Sequence, residues 1–194
     1  MKILEDAILE KGEVYPGNIL KVDGFLNHQV DTDLTDKMAS AFYEWYKDSG
    51  ITKVLTIEAS GIPVAYAVAR FLGVPMLFAK KTKSLNLGED VYSSRVSSYT
   101  HNTDYDVTVS RKYLDSADIV LLMDDFLARG NAMKGLIEIC DQAGARVAGI
   151  GICIEKGFQP GGEDLRMMGY DVMSLAIIEK MSDDGTIVFQ RQDN

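Results

Sequence analysis

Val120-Leu121-Leu122-Met123-Asp124-Asp125-Phe126-Leu127-Ala128-Arg129-Gly130-Asn131-Ala132 is the stretch that decides the architecture. Four large apolar residues run into two adjacent acids, and a short turn with Gly130 leads into a helical pattern. The apolar run reads as a buried strand and the segment after it as a helix start. A helix start presents unpaired N–H groups and about half a positive charge, which suits a phosphate. The acids fall at the strand's C-terminal end, where open α/β sheets take their ligands. An ionised carboxylate only accepts hydrogen bonds, so the acids suit sugar hydroxyls. Acids for hydroxyls beside a loop for phosphate describe a cradle for a ribose 5-phosphate.

Outward from this stretch, strand and helix patterns alternate. Residues 2–11 carry Ile3, Leu4, Ala7 and Ile8 on one helical face and stop at Gly12. Residues 32–49 carry Leu34, Met38, Ala41, Phe42 and Trp45 at helical spacing. Strands are predicted over 53–58, 75–79, 118–123, 146–155 and 171–178. Helices are predicted over 63–72 and 131–143, and a short one ends near 165–169. This rhythm predicts an α/β fold: a mainly parallel central sheet with helices on both faces. Residues 92–100 and 106–110 alternate polar with apolar and read as an antiparallel pair. The polar, lysine-bearing stretch before them has the length and composition of a lid.

The chain has 194 residues, 46% hydrophobic and 25% charged, as expected for one globular domain. A net charge of −9 disfavours a nucleic-acid partner. No apolar run approaches the ~20 residues that span a bilayer, and acids interrupt any leader-like stretch at the N-terminus. Cys140 and Cys153 fit no metal spacing and read as buried thiols, consistent with a cytoplasmic location. His28 and His101 are too few for a metal centre.

The 120–132 stretch resembles the phosphoribosyl pyrophosphate (PRPP) signature of the type I phosphoribosyltransferases. Leu20-Lys21-Val22-Asp23-Gly24-Phe25-Leu26-Asn27-His28-Gln29 and Ile154-Glu155-Lys156-Gly157-Phe158-Gln159-Pro160-Gly161 resemble the bacterial xanthine branch of that family. The likeness covers nearly the whole chain. It implies one domain over 1–194, with a hood built from about 1–30 and 155–194 and a flexible lid over about 80–105.

The resemblance also implies roles. Asp124 and Asp125 meet the ribose hydroxyls, and Asp125 steadies positive charge on the sugar. Side by side on a strand they point to opposite faces. Ala128, Arg129, Gly130, Asn131 and Ala132 hold the 5-phosphate. This loop departs from the commonest family pattern, which has threonines and paired glycines, so backbone N–H groups and Asn131 carry the contact. Ala59, Ser60 and Gly61, after Glu58, hold the pyrophosphate, in a loop that has a cis non-proline peptide in relatives. Lys81 is the catalytic cation, with Lys80, Lys83 and Arg95 in the same group and Ser84-Leu85-Asn86 continuing the lid. Leu20, Asn27 and Lys156 form the xanthine pocket. Lys156 donates to a 6-oxo group and Asn27 reads the 2-oxo edge, while Phe126 or Phe158 stacks on the base. Magnesium comes with PRPP and needs no protein metal site. The implied partners are xanthine, PRPP and a second copy of the chain in a homodimer. The competing readings are a guanine or hypoxanthine transferase and a PRPP-sensing regulator without turnover.

Overall fold

The computed structural model describes residues 1–82, 90–98 and 103–192. Its ten strands and five α-helices run α1 (Lys2–Lys11), β1 (Glu13–Tyr15), β2 (Ile19–Lys21), α2 (Thr32–Tyr46), β3 (Lys53–Ile57), α3 (Ile62–Leu72), β4 (Met76–Thr82), β5 (Val91–Ser98), β6 (Thr103–Ser110), β7 (Ile119–Leu127), α4 (Asn131–Ala143), β8 (Arg146–Lys156), α5 (Gly161–Met167), β9 (Val172–Met181) and β10 (Ile187–Phe189). A π-helical turn, Asp23–Asn27, precedes α2.

Eight strands form one sheet in the order β10-β9-β8-β7-β3-β4-β6-β5. β9, β8, β7, β3 and β4 are parallel, each to its neighbour. β10 closes one edge antiparallel, and the β5–β6 hairpin closes the other through β6 on β4. β1 and β2 pair only with each other. The mainly parallel sheet with helices on both faces is the architecture that the apolar rhythm predicts.

The sheet separates two cores. Leu121 and Met123 of β7 lie in one, with α1, α2, α3 and the segment around Phe25 and Leu26. Val120 and Leu122 face the other, with Met133, Leu136 and Cys140 of α4 and Val96 and Val107 of the hairpin. This alternation is the pleat of a strand buried on both faces. β3 and β7 are adjacent, but the chain leaves them in opposite directions: β3 through α3 to β4, β7 through α4 to β8. A crevice opens outside the carboxyl ends of two strands that diverge in this way.

Several elements differ from the sequence expectation. β7 runs four residues past Met123, because Asp124, Asp125, Phe126 and Leu127 continue the ladder with β8. Lys80 and Lys81 stand on β4, paired with Thr108 and Val107, not in a loop after it. On α2 the buried face is Leu34, Thr35, Met38, Ala39, Phe42 and Tyr46. Trp45 is 59% exposed, and its indole N–H donates to Asp171 Oδ2 at 3.0 Å. Ile3 likewise stays at the surface while Leu4 and Ile8 are buried. α2 starts on an Asp31 cap, whose carboxylate accepts from Leu34 N at 3.1 Å. Lys83, Ser84, Leu85, Asn86 and His101 lie outside the described residues.

Candidate active site

Asp124 and Asp125 are both buried, at 6% and 5% exposure, in the β7 ladder next to β3. Their surroundings differ, as neighbouring positions on a strand should. Asp125 Oδ2 accepts from Asn27 Nδ2 at 2.9 Å and Oδ1 accepts from Ser60 Oγ at 3.0 Å. One carboxylate thus joins the π-helical turn, β7 and the loop after β3. Asp124 Oδ1 accepts from Asp125 N at 3.0 Å. Burial first, and then the charge of Asp125, push the Asp124 carboxyl well above the usual aspartate range, against a smaller opposing effect of Lys81.

The loop after β3 begins with a cis Glu58–Ala59 peptide, the form the family resemblance implies. Glu58 Oε1 accepts from Lys81 N at 2.6 Å, which ties this loop to β4. Gly61 caps α3, and a Cβ there would lie 2.2 Å from Thr56 Oγ1 and 2.9 Å from Asp124 Oδ1. The close approach of α3 to β7 requires a glycine at this position.

The loop after β7 turns on Gly130, which caps α4 in the left-handed region at φ 79° and ψ 4°. Behind it, Gly161 N donates to Ala128 O at 3.0 Å. A Cβ on Gly161 would lie 2.5 Å from Ala128 O and 2.6 Å from Gly130 N. The start of α5 is therefore the backing of the loop over 128–132, a contact that sequence spacing does not reveal. Lys134 of α4 and Asp164 of α5, 2.6 Å apart, clamp the same junction.

Lys156 ends β8 half-buried. Its Nζ donates to Asn18 O at 2.8 Å and stands 5.8 Å from the centroid of the Phe126 ring. Burial lowers its pKa from the ordinary lysine value. Of the two rings the sequence left open, Phe126 is the one beside this ammonium; Phe158 is 37% exposed. Leu20 is buried in the first core. Next to Lys156, Glu155 is buried and receives both Arg166 Nη1 and Nη2 at 2.8 Å, and also Ser174 Oγ. Burial works against its charge, but Arg166 and Ser174 outweigh that and hold the carboxyl below the ordinary glutamate range.

At the hairpin side, Lys81 Nζ lies 5.2 Å from the centroid of the Tyr105 ring. Burial and then the Asp124 charge raise the Tyr105 pKa. Tyr105 thus belongs to the same neighbourhood, although the alternating pattern of β6 marks it only as a strand residue. Arg95 pairs with Asp104 at 3.3 Å on the exposed hairpin, apart from Lys81. Among the described residues no group of three or more His, Cys, Asp or Glu stands where it would hold a metal ion. Nor is any helix among them long and apolar enough to cross a membrane.

The profile of the phosphoribosyl transferase domain matches residues 27–178. The chain is 56% identical over 192 residues to a xanthine phosphoribosyltransferase of Bifidobacterium adolescentis, covering 98% of this chain and 100% of that protein. It is 54% identical to one from Finegoldia magna, covering 96% and 98%. Among solved structures, an adenine phosphoribosyltransferase of Giardia lamblia complexed with 9-deazaadenine superposes with a TM-score of 0.76 at 25% identity, covering 92% and 98%. The fold is also that of the Trypanosoma brucei adenine enzyme in complex with AMP, pyrophosphate and ribose-5-phosphate, with a TM-score of 0.75 at 18% identity, covering 94% and 82%. With a family profile matched over most of its length and relatives this similar end to end, the chain belongs to the phosphoribosyl transferase family.

Proposed function

We propose that this protein transfers the 5-phosphoribosyl group of PRPP to N9 of xanthine, giving xanthosine 5′-monophosphate and pyrophosphate. The observation that carries the reading is the joining of Asn27, Asp125 and Ser60 by hydrogen bonds, with the Gly130 loop on the same strand end. The purine nitrogen's lone pair forms the bond to the anomeric carbon as the carbon–oxygen bond to pyrophosphate breaks, and the ring proton of xanthine passes to water or the departing diphosphate. Asp124 and Asp125 accept from the ribose hydroxyls, and Asp125 offsets positive charge on the sugar. Backbone N–H groups of Ala128, Arg129, Gly130, Asn131 and Ala132 hold the 5-phosphate. Ala59, Ser60 and Gly61 hold the diphosphate, which Lys81 meets as it departs. Magnesium would come with PRPP and would neutralise charge on the diphosphate, without a dedicated protein site.

In this reading the base lies against Phe126, with Lys156 donating to its 6-oxo oxygen and Asn27 at its 2-oxo edge. Leu20 walls the pocket. A 6-amino group would oppose the Lys156 ammonium, so adenine is disfavoured. The names of the most similar relatives support xanthine over guanine or hypoxanthine. The chain acts as one transferase domain, its 1–30 and 155–194 segments a hood over the purine; of the 80–105 stretch expected as a lid, residues 83–89 and 99–102 lie outside the described residues and most of the others stand on β4, β5 and β6. It works as a homodimer in the cytoplasm, a setting in keeping with two free, buried thiols.

Steady-state rates with PRPP, magnesium and a panel of purines test the substrate. A preference for hypoxanthine would refute the Asn27 assignment, and no pyrophosphate release with any purine would leave a PRPP sensor. Lys156→Ala should raise the KM for xanthine about 10–100-fold, the loss of one charge-assisted hydrogen bond, and leave that for PRPP within a factor of about two. Equal loss of both ligands would count against the pocket.

A further inference from the structure

Thr56, on β3, is fully buried, and its Oγ1 is the one buried side-chain polar atom among the described residues without a hydrogen-bond partner. Buried hydroxyls are nearly always partnered, so an orphan calls for an explanation. The position of the hydroxyl supplies one. Thr56 Oγ1 and Asp124 Oδ1 converge on the same point, 2.2 and 2.9 Å from where a Cβ of Gly61 would stand. The absence of a side chain at Gly61 leaves the two oxygens bordering one space, without hydrogen-bond geometry between them.

We propose that Thr56 is a positioning residue for Asp124, its hydroxyl turning to donate to Asp124 Oδ1 when that carboxylate ionises to accept a ribose hydroxyl of PRPP. The inference rests on the assignment of Asp124 to the ribose. A neutral acid and a charged one make different demands here. The charged form must be an acceptor on every side, and the Thr56 side chain, by shifting its hydroxyl across the space beside Gly61, can supply a donor while the backbone of the central strand stays in place. The other charged or titratable groups around Asp124 are Asp125 on its own strand, Lys81 from β4 and Tyr105 from β6. The Cys153 thiol on β8 also senses the two acids. Asp125 opposes ionisation, and Lys81 favours it more weakly. Thr56 is the neutral donor of the set that already lies inside the protein beside the carboxylate.

The test uses Thr56→Val, which keeps the shape and removes the donor, with Thr56→Ser and Asp124→Asn as companions. Thr56→Val should raise the KM for PRPP about tenfold, with kcat changed less than about threefold. The acid limb of kcat/KM for PRPP should move up by about one pH unit, because loss of a donor to the charged form raises the carboxyl's pKa. Thr56→Ser should restore the wild-type KM and limb. A folded Thr56→Val protein with an unmoved acid limb and unchanged KM would overturn the proposal. So would a loss of melting temperature with the pH profile intact, since that is packing alone. If Thr56→Val does not fold, Thr56→Ser decides: it must keep the wild-type limb, and a shifted one overturns the proposal. Asp124→Asn separates the two levels. Undiminished kcat/KM for PRPP in that variant sinks the ribose assignment, whereas a large loss there beside a wild-type Thr56→Val sinks the Thr56 role alone.

Discussion

Asp124 sits where its charge is least welcome, buried and next to a second acid. Its folded pKa lies above the ordinary value of 3.8, so the native state holds a proton that the unfolded chain gives up. Stability then falls as pH rises from about 3.8 towards the raised folded value. The site therefore costs the fold something at neutral pH. Asp124→Asn should raise the melting temperature at pH 7 by about 3 °C, roughly 1 kcal/mol for a chain of this length, while turnover collapses. Calorimetry at pH 7 checks the sign, and a lower melting temperature would refute the charge argument. Glu155 shows the opposite balance. Its pKa is depressed below 4.5, so its contribution is complete above that value and disappears as pH falls through the folded one. Arg166→Ala should destabilise the protein at pH 7 by about 2–4 kcal/mol, since it strands a buried charge. The gap to wild type should narrow as pH falls through the depressed folded value and Glu155 takes up a proton in both. Denaturant melts at pH 7 and at steps down through the acid range measure it.

At the scale of elements, the alternation of strands and helices was legible because parallel strands buried on both faces must be apolar throughout. The same logic misplaced the end of β7. Two aspartates read as a strand terminus, yet the ladder with β8 carries them inward to Leu127. The long-range partners override the pattern here: Asp125 lies deep in the ladder, where it meets Ser60 and Asn27. β1, β2 and β10 are three residues each and carry too little periodicity to read. Trp45 fits the apolar spacing of α2 but is satisfied at the surface by Asp171, a partner 126 residues away. The contact of Gly161 with the Gly130 loop is likewise long-range. Gly161→Ala should push the 128–132 backbone aside and raise the KM for PRPP by at least about tenfold, because the new methyl meets main-chain atoms that cannot rotate away. Isothermal titration with PRPP reads this directly, and unchanged affinity would show that the loop can shift freely.

At the scale of the molecule, the two cores divide the labour. The N-terminal helices and the turn that carries Asn27 pack on one, and α4 with the β5–β6 hairpin packs on the other. Ser94 donates to Glu138 at 2.7 Å, and Gln142 bonds Ser93 in both directions, so the hairpin is fastened to α4 as well as to β4. The proposed ribose and phosphate residues lie between these halves. The sequence named most of them because each sits at a strand end followed by a helix. It could not name Thr56, Tyr105, Arg166 or Gly161, whose importance comes from what another part of the chain brings against them.

The back-to-back glycines have a practical bearing on redesign. The segment that would greet the purine, 156–161, terminates in the residue that braces the segment that would greet the sugar's phosphate. Transplanting the first from a cousin with different taste therefore carries the second along with it. Altered base preference in this scaffold should arise more readily from lone side-chain exchanges at Asn27 or Lys156 than from swapped loops.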